Sequence, residues 1–195
     1  MQHLPGLDGR RYAVIYADPP WHFATYSDRN QTRAAKNHYE IMSLDAIKQM
    51  PIAQHAADDC VLLLWAIDPL LDKAFEVIKA WGFAYKTVGF YFVKQNIRSP
   101  SYFTGLGYYS RGNPEQCLLA TRGHPKRKAK DVAKLIVSPR REHSRKPDET
   151  ITRIERLFDG PYLEVFARIA RAGWDNFGNQ VERFEPTHKM IRFEA

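Results

Sequence analysis

Asp18, Pro19, Pro20 and Trp21 follow the apolar run YAVIYA (12–17) without a break. A carboxylate at the carboxyl end of a buried strand stands where open α/β sheets hold their ligands. Two consecutive prolines keep the following backbone extended and stiff. Neither proline carries an N–H, so the carbonyls of this turn have few local donors and are expected to face a substrate, with Trp21 as a flat apolar platform. These parts suit methyl transfer to the exocyclic amino group of adenine, a poor nucleophile because its lone pair is delocalised into the ring. The Asp18 carboxylate and a proline carbonyl would hold its two hydrogens and favour the pyramidal geometry that points the lone pair at a methylsulfonium carbon. Catalysis would then come from positioning and from stabilising developing charge. Stacking on Trp21, about 1–3 kcal/mol, would help offset extrusion of the base from a duplex. The same four residues could also make a stiff turn with a capping aspartate, so the tetrapeptide alone does not decide.

Elements of matching type surround this turn. YAVIYA and CVLLLW (60–65) are continuous apolar runs of strand length, as expected for central strands covered on both faces. Ser43 is a plausible N-cap for SLDAIKQM, which stops at Pro51. Asp68 and Pro69 read as cap and first turn of the helix LLDKAFEVIKAW (70–81), with Leu70, Phe75, Val77, Ile78 and Trp81 on its apolar face and Gly82 as its stop. YKTVGFYFVK (85–94), EQCLLAT (115–121) and KLIVS read as further strands. Between the first two lie about 20 residues without periodicity, a length that is usually functional or disordered. KPDETITRIERLF (146–158) reads as a helix with Pro147 in its first turn and Ile151, Ile154, Leu157 and Phe158 on one face. YLEVFA and the region around Trp174 close the order. Strands alternating with helices predict one α/β domain over 1–195, with a mostly parallel sheet, helices on both faces, and a site beyond the carboxyl ends of the strands.

The 195 residues carry 29 Lys and Arg against 22 Asp and Glu, a formal net charge of +7, and 44% are hydrophobic. That content excludes a disordered chain, and the length allows roughly 70% of the unfolded surface to be buried. No run of 18 apolar residues and no secretory leader is present, so a cytoplasmic protein without membrane contact is expected. Cys60 and Cys117 lie in apolar runs 57 positions apart and read as buried free thiols. The histidine spacing offers no metal-binding helix, and no structural metal is expected. The charge is uneven: residues 122–146 hold ten basic and two acidic side chains, while the remainder is near neutral. Such a stretch fits a phosphate-tracking surface, or else a solvated loop face.

The strand ending in Ala-Asp-Pro-Pro-Trp resembles the amino-methyltransferases that act on adenine N6. Trp in the fourth place is similar to the MT-A70 branch, which contains the catalytic subunit of the eukaryotic mRNA N6-adenosine methyltransferase. CVLLLW, AFEVIKAWGF, VGFYFVK, GNPEQCLLATRGHP, HSRKPDE, LEVFAR and GNQ resemble that family's blocks in type and order, from about Tyr12 to Arg183. The resemblance implies a Rossmann-like S-adenosylmethionine-dependent fold with permuted order, the catalytic strand first and the cofactor strand near the end. It implies that Lys146 meets the methionine carboxylate, that Phe166 lines the cofactor adenine pocket, and that Arg168, Asn179 and Gln180 bond the ribose hydroxyls. Asp18, Pro19, Pro20 and Trp21 would be the catalytic set. After Arg168 the eukaryotic relatives carry Pro-His-Asn where this chain has Ile169, Ala170 and Arg171, so those contacts do not carry over.

Small stand-alone members of the family resemble DNA adenine methyltransferases, so DNA is the expected partner, with RNA as the alternative and a monomer or homodimer as the expected state. Target contacts are expected from Arg29, Arg33, Lys36 and Tyr39 after the catalytic turn, from the Tyr- and Arg-rich stretch 98–113, and from Lys126, Arg127, Lys128 and Lys130. A non-catalytic nucleic-acid-binding subunit is the rival from another class. Its discriminator is the turn at Asp18, which such partners would be expected to lose.

Overall fold

The computed structural model describes residues 4–21, 42–107, 109–142 and 145–178. Its sheet has seven strands: β1 (Tyr12–Ala17), β2 (Ala56–Ala66), β3 (Ala84–Gln95), β4 (Glu115–Arg122), β5 (Leu135–Pro139), β6 (Tyr162–Val165) and β7 (Trp174–Phe177), in the order β5-β3-β4-β2-β1-β6-β7. β1 pairs parallel with β2 and β6, β6 with β7, and β3 with β5, whereas β4 is antiparallel to both β2 and β3. Six strands therefore run one way and β4 alone runs back. As the sequence pattern predicts, β1 and β2 are central, and this is the expected mostly parallel, Rossmann-like α/β sheet.

Both faces are covered, which is why the central strands read as unbroken apolar runs. On one face Ile15, Ala17, Leu62 and Leu64 pack with residues of α1 (Leu44–Gln49), α2 (Ile52–His55) and α3 (Leu71–Ala80). On the other, Val14, Tyr16, Leu63, Trp65, Phe90 and Ile136 meet Ile151 and Ile154 of α4 (Glu149–Leu157). Ser43 caps α1 as expected, its hydroxyl accepting from the Ala46 N–H at 3.1 Å. Gly82 ends α3 at φ +80°, a conformation in which any Cβ is strained.

Three local readings need correction. Asp68 does not cap α3: residues 68–70 form a separate 3₁₀ turn, and the Asp68 carboxylate accepts from the Gln116 side chain at 3.3 Å. Phe75 is half-exposed and packs edge-on against Tyr85 of the neighbouring strand instead of entering the core. α4 spans Glu149–Leu157, shorter than the predicted 146–158 and with Pro147 before it; the Asp148 side chain makes no cap hydrogen bond and pairs instead with Arg141, Arg145 and Arg171. Cys60 and Cys117 are buried free thiols, and burial pushes both up, Cys60 to about 12. Among the described residues no helix is long and apolar enough to cross a membrane.

Candidate active site at the carboxyl edge of the sheet

The chain leaves β1 toward β2, β4, β3 and β5 on one side, then returns to β6 on the other side of β1. The β1/β6 junction is therefore the switch point at which doubly wound sheets bind ligands. Asp18 follows β1, and Phe166 to Arg168 follow β6. The two segments meet directly: Arg168 Nη2 lies 3.1 Å from Asp18 Oδ2, a pair separated by 150 positions in sequence.

Because β4 is reversed, its first residue, not its last, reaches this edge. Glu115 heads β4, Lys94 lies near the end of β3, and Lys146 precedes α4. Lys146 Nζ stands 2.9 Å from Asp18 Oδ1 and 3.1 Å from Glu115 Oε2, and Lys94 Nζ is 2.5 Å from Glu115 Oε1. The result is a continuous line of alternating charge, Arg168, Asp18, Lys146, Glu115, Lys94. The Lys146 ammonium also lies over the Trp65 ring, 5.3 Å from its centroid, a cation–π contact. Trp65 in turn donates from Nε1 to the Tyr16 hydroxyl at 2.7 Å, which fixes the ring plane.

Burial alone would raise the Glu115 carboxyl, but Lys146 and Lys94 outweigh it and bring it down to about 2. Burial likewise pulls the Lys146 ammonium down, and Asp18 and Glu115 more than compensate, holding it above the usual ammonium range. Glu115 is therefore ionised when folded well below its ordinary 4.5, so its contribution to stability is complete above that pH and is lost as pH falls toward 2. Denaturant midpoints measured stepwise over this window should fall more steeply for the wild type than for Glu115→Gln. Parallel pH profiles would show that the carboxylate is not held by its lysines.

The turn itself differs from expectation in two ways. Both proline carbonyls have backbone donors: Pro19 O accepts from the Trp21 N–H at 2.8 Å and Pro20 O from the Met42 N–H at 3.2 Å. An extended turn next to a bridging residue finds such donors even though the prolines lack their own, and each oxygen keeps a second lone pair. Trp21 is not an open platform either. It is 5% exposed, belongs to the apolar cluster on the α1–α3 face, and donates from Nε1 to the Trp65 carbonyl at 3.0 Å. A side chain with so much apolar surface and one donor is satisfied by burial with a single acceptor.

Phe166 leaves β6 at φ 63°, which is uncommon for a side chain of this size. It is partly buried against the same cluster as Trp21, together with Phe177. Opposite it, Gly178 approaches so closely that a Cβ would stand 2.4 Å from the Ala167 carbonyl oxygen. The ends of β6 and β7 are thus pressed together beside Arg168. Asn179 and Gln180, and the loop residues Arg29, Arg33, Lys36 and Tyr39, lie outside the described residues.

The basic stretch 122–146 divides between two poles. Gln95 and Pro139 end the paired strands β3 and β5 on the edge that carries Asp18, so Arg140, Arg141, Arg145 and Lys146 gather there. Arg122 ends β4 opposite Cys60, near the start of β2, at the other edge. Lys126, Arg127, Lys128 and Lys130 follow it and are exposed, with the Lys128 N–H bonded to the carbonyl of Leu157 at the far end of α4. The expectation that these four line the same cleft as Asp18 is corrected: continuity in sequence concealed a strand, β5, that carries the chain from one edge of the sheet to the other. Several of the far-edge charges are answered locally, Lys128 by Asp159 at 2.9 Å and Arg156 by Asp131 at 2.5 Å.

Glu115 and Lys94 were legible as motif residues but not as a charge pair. Charged side chains bordering apolar strands at the ligand-bearing edge were the available signal, and the reversal of β4, which gives Glu115 its place, leaves no mark in the local pattern.

The MT-A70 family model matches residues 12–180. The chain is 31% identical to Type II methyltransferase M.MunI of Mycoplasma sp, over 91% of this chain and 81% of that protein. It is 30% identical to mouse N(6)-adenine-specific methyltransferase METTL4, over 96% of this chain but 41% of the relative. With the human N(6)-adenosine-methyltransferase catalytic subunit METTL3 it shares 28% identity, over 88% of this chain and 28% of the relative. The match spans the turn at Asp18, the reversed strand β4 and the segment after β6 that carries Arg168, and the chain belongs to the MT-A70 family of methyltransferases.

Proposed function

We propose that this chain transfers a methyl group from S-adenosylmethionine to the N6 amino group of adenine in DNA. The observation that carries the reading is the Asp18 carboxylate at the β1/β6 switch point, held between Lys146 and Arg168. When bound, S-adenosylmethionine would supply a methyl group on a sulfonium centre.

The residues fit such a cofactor. Its amino-acid end bears a carboxylate and an ammonium, and the site presents alternating cations and carboxylates to receive them. Lys146 would hold the carboxylate, Phe166 would line the adenine pocket, and Arg168 with Asn179 and Gln180 would take the ribose hydroxyls. Lys146 turning to the cofactor carboxylate would release Asp18 Oδ1 for an N6 hydrogen of the target base. The Asp18 carboxylate and the second lone pair of a proline carbonyl would then orient the amine, and Asp18 would take the proton that leaves nitrogen as the new N–C bond forms and the methyl–sulfur bond breaks, its electron pair staying on sulfur as a neutral thioether. Trp21 would act from below, by holding the turn in place.

Names of relatives support adenine N6 as the acceptor. DNA is favoured because the relative matched over four-fifths of its own length is a Type II methyltransferase, whereas the chain spans only about a quarter of METTL3. The intact turn from Asp18 to Trp21 argues against a non-catalytic subunit. The test is incubation with labelled cofactor and separate pools of duplex DNA, denatured DNA and RNA, followed by identification of the modified nucleoside. Label in N6-methyldeoxyadenosine is expected. Label confined to RNA would overturn the choice of DNA, and no transfer to any pool would overturn the enzymatic reading.

A further inference from the structure

Among the described residues, the four most exposed large hydrophobic side chains lie in one loop. Between β3 and β4, Ile97, Tyr102, Leu106 and Tyr109 are from 62% to fully exposed, Leu106 at 78%. Single exposed apolar residues are unremarkable, but a group of them on one segment marks a contact surface.

The loop is also built. Asn113 holds its base three times, accepting the Lys94 N–H at 2.8 Å and donating to the carbonyls of Lys94 at 2.9 Å and Phe103 at 2.6 Å. The Arg140 guanidinium lies over the Phe103 ring, 4.6 Å from its centroid. Higher up, the Gly105 N–H bonds to the Gly112 carbonyl at 2.7 Å, and at Gly107 a Cβ would stand 2.0 Å from the Ser110 carbonyl oxygen. The two limbs therefore close into a narrow finger with Leu106 and Tyr109 at its tip. Its position is tied to the active site, since Lys94, on which Asn113 is anchored, also holds Glu115 in the line of charges that reaches Asp18.

Residues 96–114 contain no Asp or Glu and two arginines, Arg98 and Arg111, with Arg140 adjoining. Charge of this sign beside an apolar tip matches a polyanion whose interior is apolar, which is duplex nucleic acid. We propose that this finger is a wedge: Leu106 enters the base stack of duplex DNA beside the target adenine and stands in for the extruded base, while the arginines hold the flanking phosphates. Apolar side chains inserted at a base step unstack and kink the duplex, and an enzyme acting on a base in a duplex must extrude it. The proposal rests on the methylation reading for its target but not for its own test.

The test uses closed circular plasmid relaxed by a topoisomerase in the presence of the protein, so that inserted wedges appear as a change in linking number. Wild type is expected to shift the topoisomers, and Leu106→Ser to lose most of the shift while retaining plasmid binding at the same salt. Leu106→Met should keep it. On duplex DNA, Leu106→Ser should lower methyl transfer about tenfold or more, with less than about a twofold change on heat-denatured DNA, where nothing is left to unstack. A bound plasmid whose linking number is unchanged by wild type, or equal shifts by wild type and Leu106→Ser, would overturn the wedge. A self-associated protein that Leu106→Ser converts to monomer, without effect on linking number, would assign the tip to protein contact and overturn it equally. Unwinding without methyl transfer to any pool would retain the wedge and overturn the methylation reading; transfer without unwinding would do the reverse.

Discussion

Replacing Asp18 by Asn is expected to leave a folded chain that still binds S-adenosylmethionine and to lower methyl transfer by roughly 10²–10⁴-fold. Asn keeps the size of the side chain and one carbonyl oxygen, so the turn at Pro19 and Pro20 need not rearrange. It loses the charge that would attract the amine hydrogens and the second oxygen that would take the departing proton. The replacement also faces Lys146 and Arg168 with a neutral group. Glu115 still answers Lys146 at 3.1 Å, so that lysine keeps an anionic partner. Single-turnover transfer at saturating cofactor and DNA, together with calorimetric cofactor binding, separates the two effects. Near wild-type transfer would remove Asp18 from the chemistry, and loss of cofactor binding alone would make it a binding residue.

Trp21→Ala is expected to cost about 3–5 kcal/mol of stability, the range for deleting a large aromatic side chain from a core. This is a sizeable share of the roughly 5–15 kcal/mol that holds an ordinary domain folded. The ring is 5% exposed and its Nε1 donates to the Trp65 carbonyl, so truncation leaves both a cavity and an unanswered acceptor beneath the ring that faces Lys146. Trp21→Phe should fill most of the space and lose chiefly the hydrogen bond. Urea denaturation of the two variants checks the order. If Trp21→Ala unfolds at the wild-type midpoint but binds DNA poorly, the ring is a base platform after all.

These two residues show how much of the site was legible in sequence. Asp18 could be placed because an apolar run long enough for a covered strand ends on it, and strand ends are where such sheets bind ligands. Trp21 was misjudged because an aromatic beside a catalytic turn suits stacking and burial equally well, and only tertiary packing separates them. The helices around Ser43 and Gly82 followed from caps and stops, which act within a few residues. The reversal of β4 and the division of the basic stretch between two edges did not follow, because both depend on strand direction, which leaves the local pattern unchanged. Arg168 was expected at the cofactor ribose by resemblance alone; its ion pair with Asp18 was not foreseen, because it joins residues 150 positions apart.

That separation bears on how the molecule is made. A chain that emerges from its amino end delivers β1 and Asp18 first, and β2 can pair with β1 after about fifty more residues. β6, the neighbour on the other side, is delivered only after β3, β4, β5 and α4. At roughly 5–20 residues per second, the Asp18 carboxylate waits on the order of ten seconds for Arg168. Until then one flank of β1 is an unpaired edge of apolar residues, the kind of surface on which nascent chains associate wrongly. Pairing of β6 with β1 covers that edge and brings Arg168 to Asp18 in a single event, so the carboxylate gains its distant partner only as the central strand loses its open flank.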